Sequence, residues 1–243
     1  MGLPWLIVPT YNEAENVESI VAAARAVLAG ACEDGFRVLI VDDGSPDGTG
    51  EIADRLEATH DDVEVLHREK PLGLGPAYLA GFAYALDRGA SRVMEMDADG
   101  SHDPKDLARL LQAVDDGADL ALGSRYVPGG KVADWGVLRR AISRGGSIYA
   151  RVILGVKVRD LTGGFKCFRR EVLEAIDLPT VRSKGYAFQV ELTYRTLRSG
   201  FSVEEVPITF RDRELGTSKM SPRIAVEAVW LVPRLRGWRP ARP

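Results

Sequence analysis

The chain has 243 residues, 45% of them apolar and 28% charged, with a formal net charge of −3; that length can bury one large core, so one domain with at most a small appended piece is expected. The slightly acidic balance gives no general attraction for nucleic acid, and Cys32 and Cys167 form neither a metal spacing nor a disulfide framework, which suits a reducing compartment. No apolar run approaches the roughly 18 to 20 residues that cross a bilayer, so a soluble or peripheral protein is expected.

Met1 leads almost directly into a strand pattern, with no signal peptide. Strands are expected at residues 3–8, 36–41, 63–67, 92–96 and 120–122, with helices at 14–28, 48–56, 77–86 and 107–114. This alternation predicts an α/β fold with a mostly parallel central sheet flanked by helices, in which ligands gather where the strands end. Four ends carry polar clusters: Pro9-Thr10-Tyr11-Asn12-Glu13, Asp42-Asp43-Gly44-Ser45, Arg68-Glu69-Lys70 and Asp97-Ala98-Asp99. Asp103, Pro104 and Asp106 read as the start of the 107–114 helix. After about residue 124 the rhythm breaks into a Gly/Pro loop at 127–130, a helical stretch over 139–154 and the segment Asp160-Leu161-Thr162-Gly163-Gly164-Phe165. A helix at 188–197, a strand at 201–206 and a last helix at 224–231 follow, then a tail with Arg234, Arg236, Arg239 and Arg242. The expected division is a catalytic domain over 1–220 and a C-terminal amphipathic, basic piece over 221–243 that faces a membrane.

Asp97 and Asp99 follow an apolar run, and on a strand they share one face about 7 Å apart at Cα. Such a pair suits Mg²⁺ or Mn²⁺ with phosphate oxygens completing the shell; a strand-ending turn bearing two acids is the competing reading. A base could stack on Tyr11, and Asp42 and Asp43 can accept from a nucleobase N–H or ribose hydroxyls, with Gly44 permitting close approach. Asp47 reads equally well as a helix cap. The Gly-x-Gly-x-x-Gly of a dinucleotide site is missing after the first strand, and Gly73-Leu74-Gly75 reads as a tight turn. Basic residues from Lys131 to Arg170 face only Asp134 and Asp160 in that stretch, which predicts a locally positive surface.

The clusters Pro9-Thr10-Tyr11-Asn12-Glu13, Val41-Asp42-Asp43-Gly44-Ser45 and Met96-Asp97-Ala98-Asp99, in this order, resemble those of a family 2 glycosyltransferase with the GT-A fold. Leu122-Gly123-Ser124-Arg125-Tyr126, the 160–165 segment, Ser183-Lys184-Gly185-Tyr186, Glu205-Val206-Pro207-Ile208-Thr209-Phe210 and Gly216-Thr217-Ser218-Lys219-Met220 extend the likeness. Across nearly the whole chain the set is similar to dolichol- and polyprenol-phosphate mannose synthases, particularly the actinobacterial ones. The resemblance implies inverting transfer of mannose from GDP-mannose to a polyprenyl phosphate. It places Pro9, Tyr11, Glu13, Ile40 and Asp42 at the nucleoside, Asp97 and Asp99 on the metal, Ala98 against the donor through its backbone, and Arg125, Arg213 and Lys219 on phosphates. Many relatives carry a metal-binding Gln where this chain has Ser101, so Ser101 or a water takes that place. His102 beside it could ligate as well, although a lone His at a helix start more often hydrogen-bonds.

A lipid monophosphate, with a second pKa near 6, is largely dianionic at neutral pH, so the reaction needs no catalytic base. It needs charge neutralised on the leaving diphosphate and an acceptor anion aimed at carbon, work for a metal together with Arg125, Arg139, Arg213 and Lys219. Arg139 is the choice for the acceptor phosphate, with a solvated helix face as its alternative. Leu138, Ile142, Ile148, Tyr149, Val152, Ile153 and Leu154 interleave with Arg140, Arg144 and Arg151 as on an interfacial helix, or as on an ordinary amphipathic one whose apolar face packs the core. The expectation is therefore a peripheral enzyme on the cytoplasmic face of the plasma membrane, with room for an anchoring partner protein. The rivals are a UDP-glucose-dependent polyprenyl-phosphate glucosyltransferase, a non-catalytic nucleotide-sugar-binding scaffold, and a processive polysaccharide synthase, whose Gln-x-x-Arg-Trp signature is missing.

Overall fold

The computed structural model describes residues 2–133, 135–183, 185–212 and 222–240. Strand β1 (Pro4–Thr10) is buried along its whole length, because both of its faces carry apolar side chains and both are covered. Helix α1 (Val17–Ala31), β2 (Arg37–Asp42), α2 (Thr49–Thr59), β3 (Val63–His67), α3 (Leu74–Asp87), β4 (Arg92–Glu95), α4 (Asp106–Asp115) and β5 (Leu120–Ser124) follow, matching the sequence reading element for element with shifted ends. Helix α1 starts three residues later than expected, since Asn12 takes a left-handed φ of 56° and turns the chain before helical conformation sets in. Beyond β5 lie β6 (Lys131–Val132), α5 (Val137–Leu154), β7 (Lys166–Arg169), α6 (Arg170–Ala175), α7 (Gly185–Arg198), β8 (Val203–Pro207), β9 (Thr209–Phe210) and α8 (Pro222–Leu235).

The seven-stranded sheet runs β3-β2-β1-β4-β7-β5-β8, and a separate parallel ribbon joins β6 to β9. Strand β7 enters antiparallel between β4 and β5, pairing Glu95 with Lys166 on one side and Leu122 with Lys166 on the other. No strand was expected there. On one side of the sheet Leu6, Val8 and Ile40 pack with Val17 of α1 and Leu107 and Leu110 of α4; on the other Ile7, Leu39 and Phe168 pack with Tyr78 and Phe82 of α3 and Phe188 of α7. A Cβ on Gly81 would lie 2.5 Å from the Ile7 side chain, so a glycine lets α3 ride close over β1. Val232 and Leu235 of α8 pack with Leu154, Val190 and Tyr194, which joins the described part of the C-terminal piece to the catalytic body.

Candidate active site

The ends of β1 and β2 are stitched together by side chains. The amides of Asn12, Glu13 and Ala14 donate to Ser45 Oγ (3.0 Å), Thr49 Oγ1 (2.9 Å) and Asp47 Oδ2 (3.1 Å) in turn. Asp47 also accepts from the Thr49 amide at 3.1 Å, so it ties the start of α2 to the first loop. Asp42 is buried, and its Oδ1 accepts from Thr10 Oγ1 at 3.2 Å and Ser45 Oγ at 2.5 Å. Gly44, at φ 70°, turns the chain away directly after the two acids. Asp43 receives Arg68 Nη1 at 2.6 Å, and burial raises its pKa despite that guanidinium and the amides of Gly73 and Leu72. Asp43 thereby fastens the 68–73 loop to the end of β2. Pro9 is buried in β1, Tyr11 is half-buried at the loop, and Glu13, also buried, accepts from Asn16 Nδ2 at 2.9 Å. Ile40 is placed differently from the expectation. It is fully buried among Val8, Val17 and Met94, so its side chain packs the core instead of meeting a ligand.

The ladder of β4 stops at Glu95, so Asp97 and Asp99 stand on the turn after the strand, and the strand-face geometry expected for them does not apply. Local hydrogen bonds shape this turn. Asp99 Oδ1 accepts from the Ser101 amide at 3.0 Å, His102 Nδ1 accepts from the Asp97 amide at 3.3 Å, and Tyr78 Oη donates to Asp97 Oδ1 at 2.9 Å. His102 lies buried against Phe165, with ring centroids 4.8 Å apart. Burial lowers its pKa to about 4, with Asp99 opposing and Arg125 assisting, so at neutral pH the ring is uncharged. Its Nδ1 lone pair is directed at the Asp97 amide, which makes His102 a brace for the turn and not a ligand. Ser101 is buried beside them, and its carbonyl accepts from the Arg211 amide at 3.1 Å. Among the described residues no three His, Cys, Asp or Glu side chains form a closed metal cage. Two carboxylates and a serine hydroxyl are an all-oxygen set, which fits Mg²⁺ or Mn²⁺ sharing its shell with phosphate and water.

Beneath this turn Glu95, Lys166 and Gln189 form a buried polar group. Lys166 Nζ lies 3.8 Å from Glu95 Oε2 and donates to the Gln189 carbonyl at 3.1 Å and to its side-chain oxygen. Both charged side chains have no exposure. Burial raises Glu95 to about 7 against the pull of Lys166, and burial lowers Lys166 to about 8 against the pull of Glu95.

Arg125 does not present an open guanidinium. Its Nε and Nη2 donate to the two oxygens of Asp160 at 2.7 and 2.6 Å, its own amide donates to Asp160 Oδ2 at 2.9 Å, and Nη2 also reaches Thr162 Oγ1 at 2.8 Å. Glu205 completes the support by accepting from Ser124 Oγ and from the amides of Arg159 and Asp160 at 2.7 to 3.0 Å. Asp160 and Glu205 stand in the sequence only as members of motif segments, because an acid at a given position carries no sign of the distant partner it will meet. Arg139 donates to both oxygens of Asp212 at 2.8 Å and lies 4.2 Å over the Trp135 ring, and it keeps 42% side-chain exposure. Arg213 and Lys219 lie outside the described residues. The expected positive surface is partly dissolved, since Lys166 is buried, Arg169 meets Asp119, and Arg170 meets Glu174 and the carbonyls of Leu86 and Ala90.

Residues 5–177 match the profile of glycosyl transferase family 2. The chain belongs to that family. It is 55% identical to the polyprenol monophosphomannose synthase of Mycolicibacterium smegmatis over 228 residues, spanning 93% of this chain and 84% of that protein. It is 50% identical to the undecaprenyl-phosphate mannosyltransferase of Micrococcus luteus, spanning 94% and 91% of the two chains. Among solved structures, glucosyl-3-phosphoglycerate synthase from Mycobacterium tuberculosis in complex with phosphoglyceric acid superposes with a TM-score of 0.72 at 20% identity, over 97% of this chain and 80% of that one. The same enzyme in complex with Mn²⁺, UDP and phosphoglyceric acid gives 0.70 at 18% identity, over 97% and 79%. This glycosyltransferase therefore has the GT-A fold, with the ends of β1, β2 and β4 on one rim of its sheet.

Proposed function

We propose that the enzyme transfers mannose, with inversion, from GDP-mannose to a polyprenyl monophosphate at a membrane surface. The observation that carries this reading is the 55% identity, over 93% of the chain, to a polyprenol monophosphomannose synthase. The nucleoside is assigned to the rim built by Pro9, Tyr11, Glu13, Asp42 and Asp43, where buried carboxylates accept from base or ribose donors. Ala98 meets the donor through its backbone, and Asp97 and Asp99, with Ser101 or a water, hold Mg²⁺ or Mn²⁺. When bound, that cation neutralises charge on the leaving diphosphate. A lipid phosphate oxygen forms the new bond to the anomeric carbon as the bond to the nucleoside diphosphate breaks, and the electron pair leaves on the diphosphate. No proton moves, because the acceptor arrives as an anion.

In this reading Arg125 acts through the loop it fixes. Its pairing with Asp160 anchors residues 160–165 to the end of β5, and the acceptor phosphate is left to exposed Arg139, with Arg213 and Lys219 assigned to phosphates as well. Purified enzyme offered polyprenyl phosphate with labelled GDP-mannose or UDP-glucose should make lipid-linked mannose from the first. A preference for UDP-glucose would reverse the donor assignment, and absence of lipid product from either would favour a binding scaffold.

The membrane part of the reading rests on α5 and α8, which expose Ile142, Ile148, Val152, Val229 and Trp230 next to Arg140 and Arg144. No helix among the described residues is long and apolar enough to cross a membrane. Peripheral attachment to the inner leaflet, with or without an anchoring partner protein, is the arrangement we favour. Point changes test it better than truncation after Leu231, which would also remove the core residues Val232 and Leu235. The double substitution Ile142→Asp/Val152→Asp is expected to reduce co-sedimentation with anionic liposomes severalfold while leaving thermal stability near wild type. Unchanged sedimentation would return this face to ordinary solvent exposure.

A further inference from the structure

We infer that Tyr78 is a positioning residue for the cation site, setting the orientation of the Asp97 carboxylate through its phenol hydroxyl. The inference rests on the assignment of Asp97 and Asp99 to a divalent metal. Tyr78 lies on the first turns of α3, not among the polar clusters at the strand ends, and it was read from sequence only as part of a helix. Its ring has no exposure and stacks against two aromatic neighbours, Phe82 at 5.9 Å and an interplanar angle of 28°, and Phe188 at 6.1 Å and 8°. Gly75, one turn earlier, supports this seat, because a Cβ there would lie 3.0 Å from the Phe188 ring.

A tyrosine has two side-chain rotations, and packing against two aromatic rings in a fully buried seat leaves the hydroxyl at a nearly fixed point. From that point Oη donates to Asp97 Oδ1 at 2.9 Å. The second anchor of Asp97 is its amide, held by His102. Backbone and carboxylate are thus each gripped by a buried ring from a different element, α3 for one and the turn before α4 for the other. A charge-assisted hydrogen bond to one oxygen fixes the rotation of the carboxylate plane and hence the direction its lone pairs present to an ion. Outer partners of this kind, when removed from metal sites, typically cost about 10- to 100-fold in affinity or activity.

The test is Mn²⁺ binding in the presence of GDP, followed by electron paramagnetic resonance, for wild type and Tyr78→Phe, which keeps the stacked ring. The dissociation constant for Mn²⁺ should rise about tenfold or more, while turnover at saturating Mn²⁺ stays closer to wild type than turnover at limiting Mn²⁺. Two controls separate orientation from packing. Tyr84→Phe removes a hydroxyl bonded at 2.9 Å to Glu64 from the same helix, and Phe82→Leu loosens the ring stack without touching the hydroxyl. Both should leave the Mn²⁺ constant within about twofold even where melting temperature falls. A Tyr78→Phe constant within twofold of wild type would overturn the inference, as would a Phe82→Leu loss equal to that of Tyr78→Phe. If wild type itself binds no Mn²⁺, the metal assignment fails instead, and the two failures are thereby told apart.

Discussion

Lys166→Met is expected to cost about 3 to 5 kcal/mol of folding stability, whereas Glu95→Leu/Lys166→Met should recover at least half of that loss. The reason is the asymmetry of buried ion pairs. Removing one partner strands a charge in a low-dielectric core, while removing both also removes the cost of taking them from water. Lys166 and Glu95 sit opposite each other on β7 and β4 with no exposure, and at 3.8 Å they are farther apart than a hydrogen-bonded ion pair. Dehydration is therefore poorly compensated. The pH dependence follows from the same shifts. Folding favours protonated Glu95, raised from 4.5 to about 7, so this contribution is complete below about 4.5 and lost as pH rises through about 7. Folding also favours neutral Lys166, lowered from 10.5 to about 8, so that contribution is complete above about 10.5 and lost as pH falls through about 8. Relative to the double variant, the wild type should be least stable between about pH 7 and 8, where both groups are charged. Urea unfolding of the metal-free proteins from pH 5 to 10 measures this. A double variant no more stable than Lys166→Met alone would overturn this expectation.

Asp99→Ala and exhaustive chelation should each lower transferase turnover by roughly a thousandfold, the scale of the several kcal/mol that a cation contributes on a departing diphosphate at about 1.4 kcal/mol per tenfold. Asp99 also accepts from the Ser101 amide, so alanine removes a turn hydrogen bond as well as a charge. Asp99→Asn separates the two, because an amide oxygen can still accept from Ser101 while the negative charge is gone. If the charge holds the cation, Asn should be nearly as inactive as Ala, and added Mn²⁺ should restore more activity to wild type after chelation than to either variant. Turnover that survives both Asn and chelation would place catalysis outside metal chemistry altogether.

The first half of the chain was legible because its signals are local. The apolar runs at 3–8 and 36–41 and the helical periodicity between them report burial on each element separately, and β1, α1 and β2 appear where those patterns lie. Strand β7 was not legible. Lys166-Cys167-Phe168-Arg169 is short and begins and ends with a basic residue, and a lysine with no exposure looks in sequence like a surface marker. The ribbon of β6 and β9 escaped for a related reason, since two residues on each strand leave no period to detect. Among site residues, Asp97, Asp99 and Asp42 stood out by their position after apolar runs, whereas Tyr78 sat inside an apolar helical pattern that hides a hydroxyl. Ile40 and Arg125 show the limit of a family motif, which marks a position without saying whether its side chain faces a ligand, the core or a buried partner: the Ile40 side chain lies in the core and the Arg125 guanidinium pairs with Asp160.

By itself the sequence determined the α/β alternation, the rim on which polar loops collect and the acidic pair that invites a cation, all consequences of pattern within some ten residues. Tertiary structure alone decided which charges pair with one another. Arg125 meets Asp160, Arg139 meets Asp212 and Lys166 meets Glu95 across 35, 73 and 71 positions of chain. Such pairings depend on how the sheet orders its strands and how loops fold back over its rim, and local periodicity carries no information about a partner that far away.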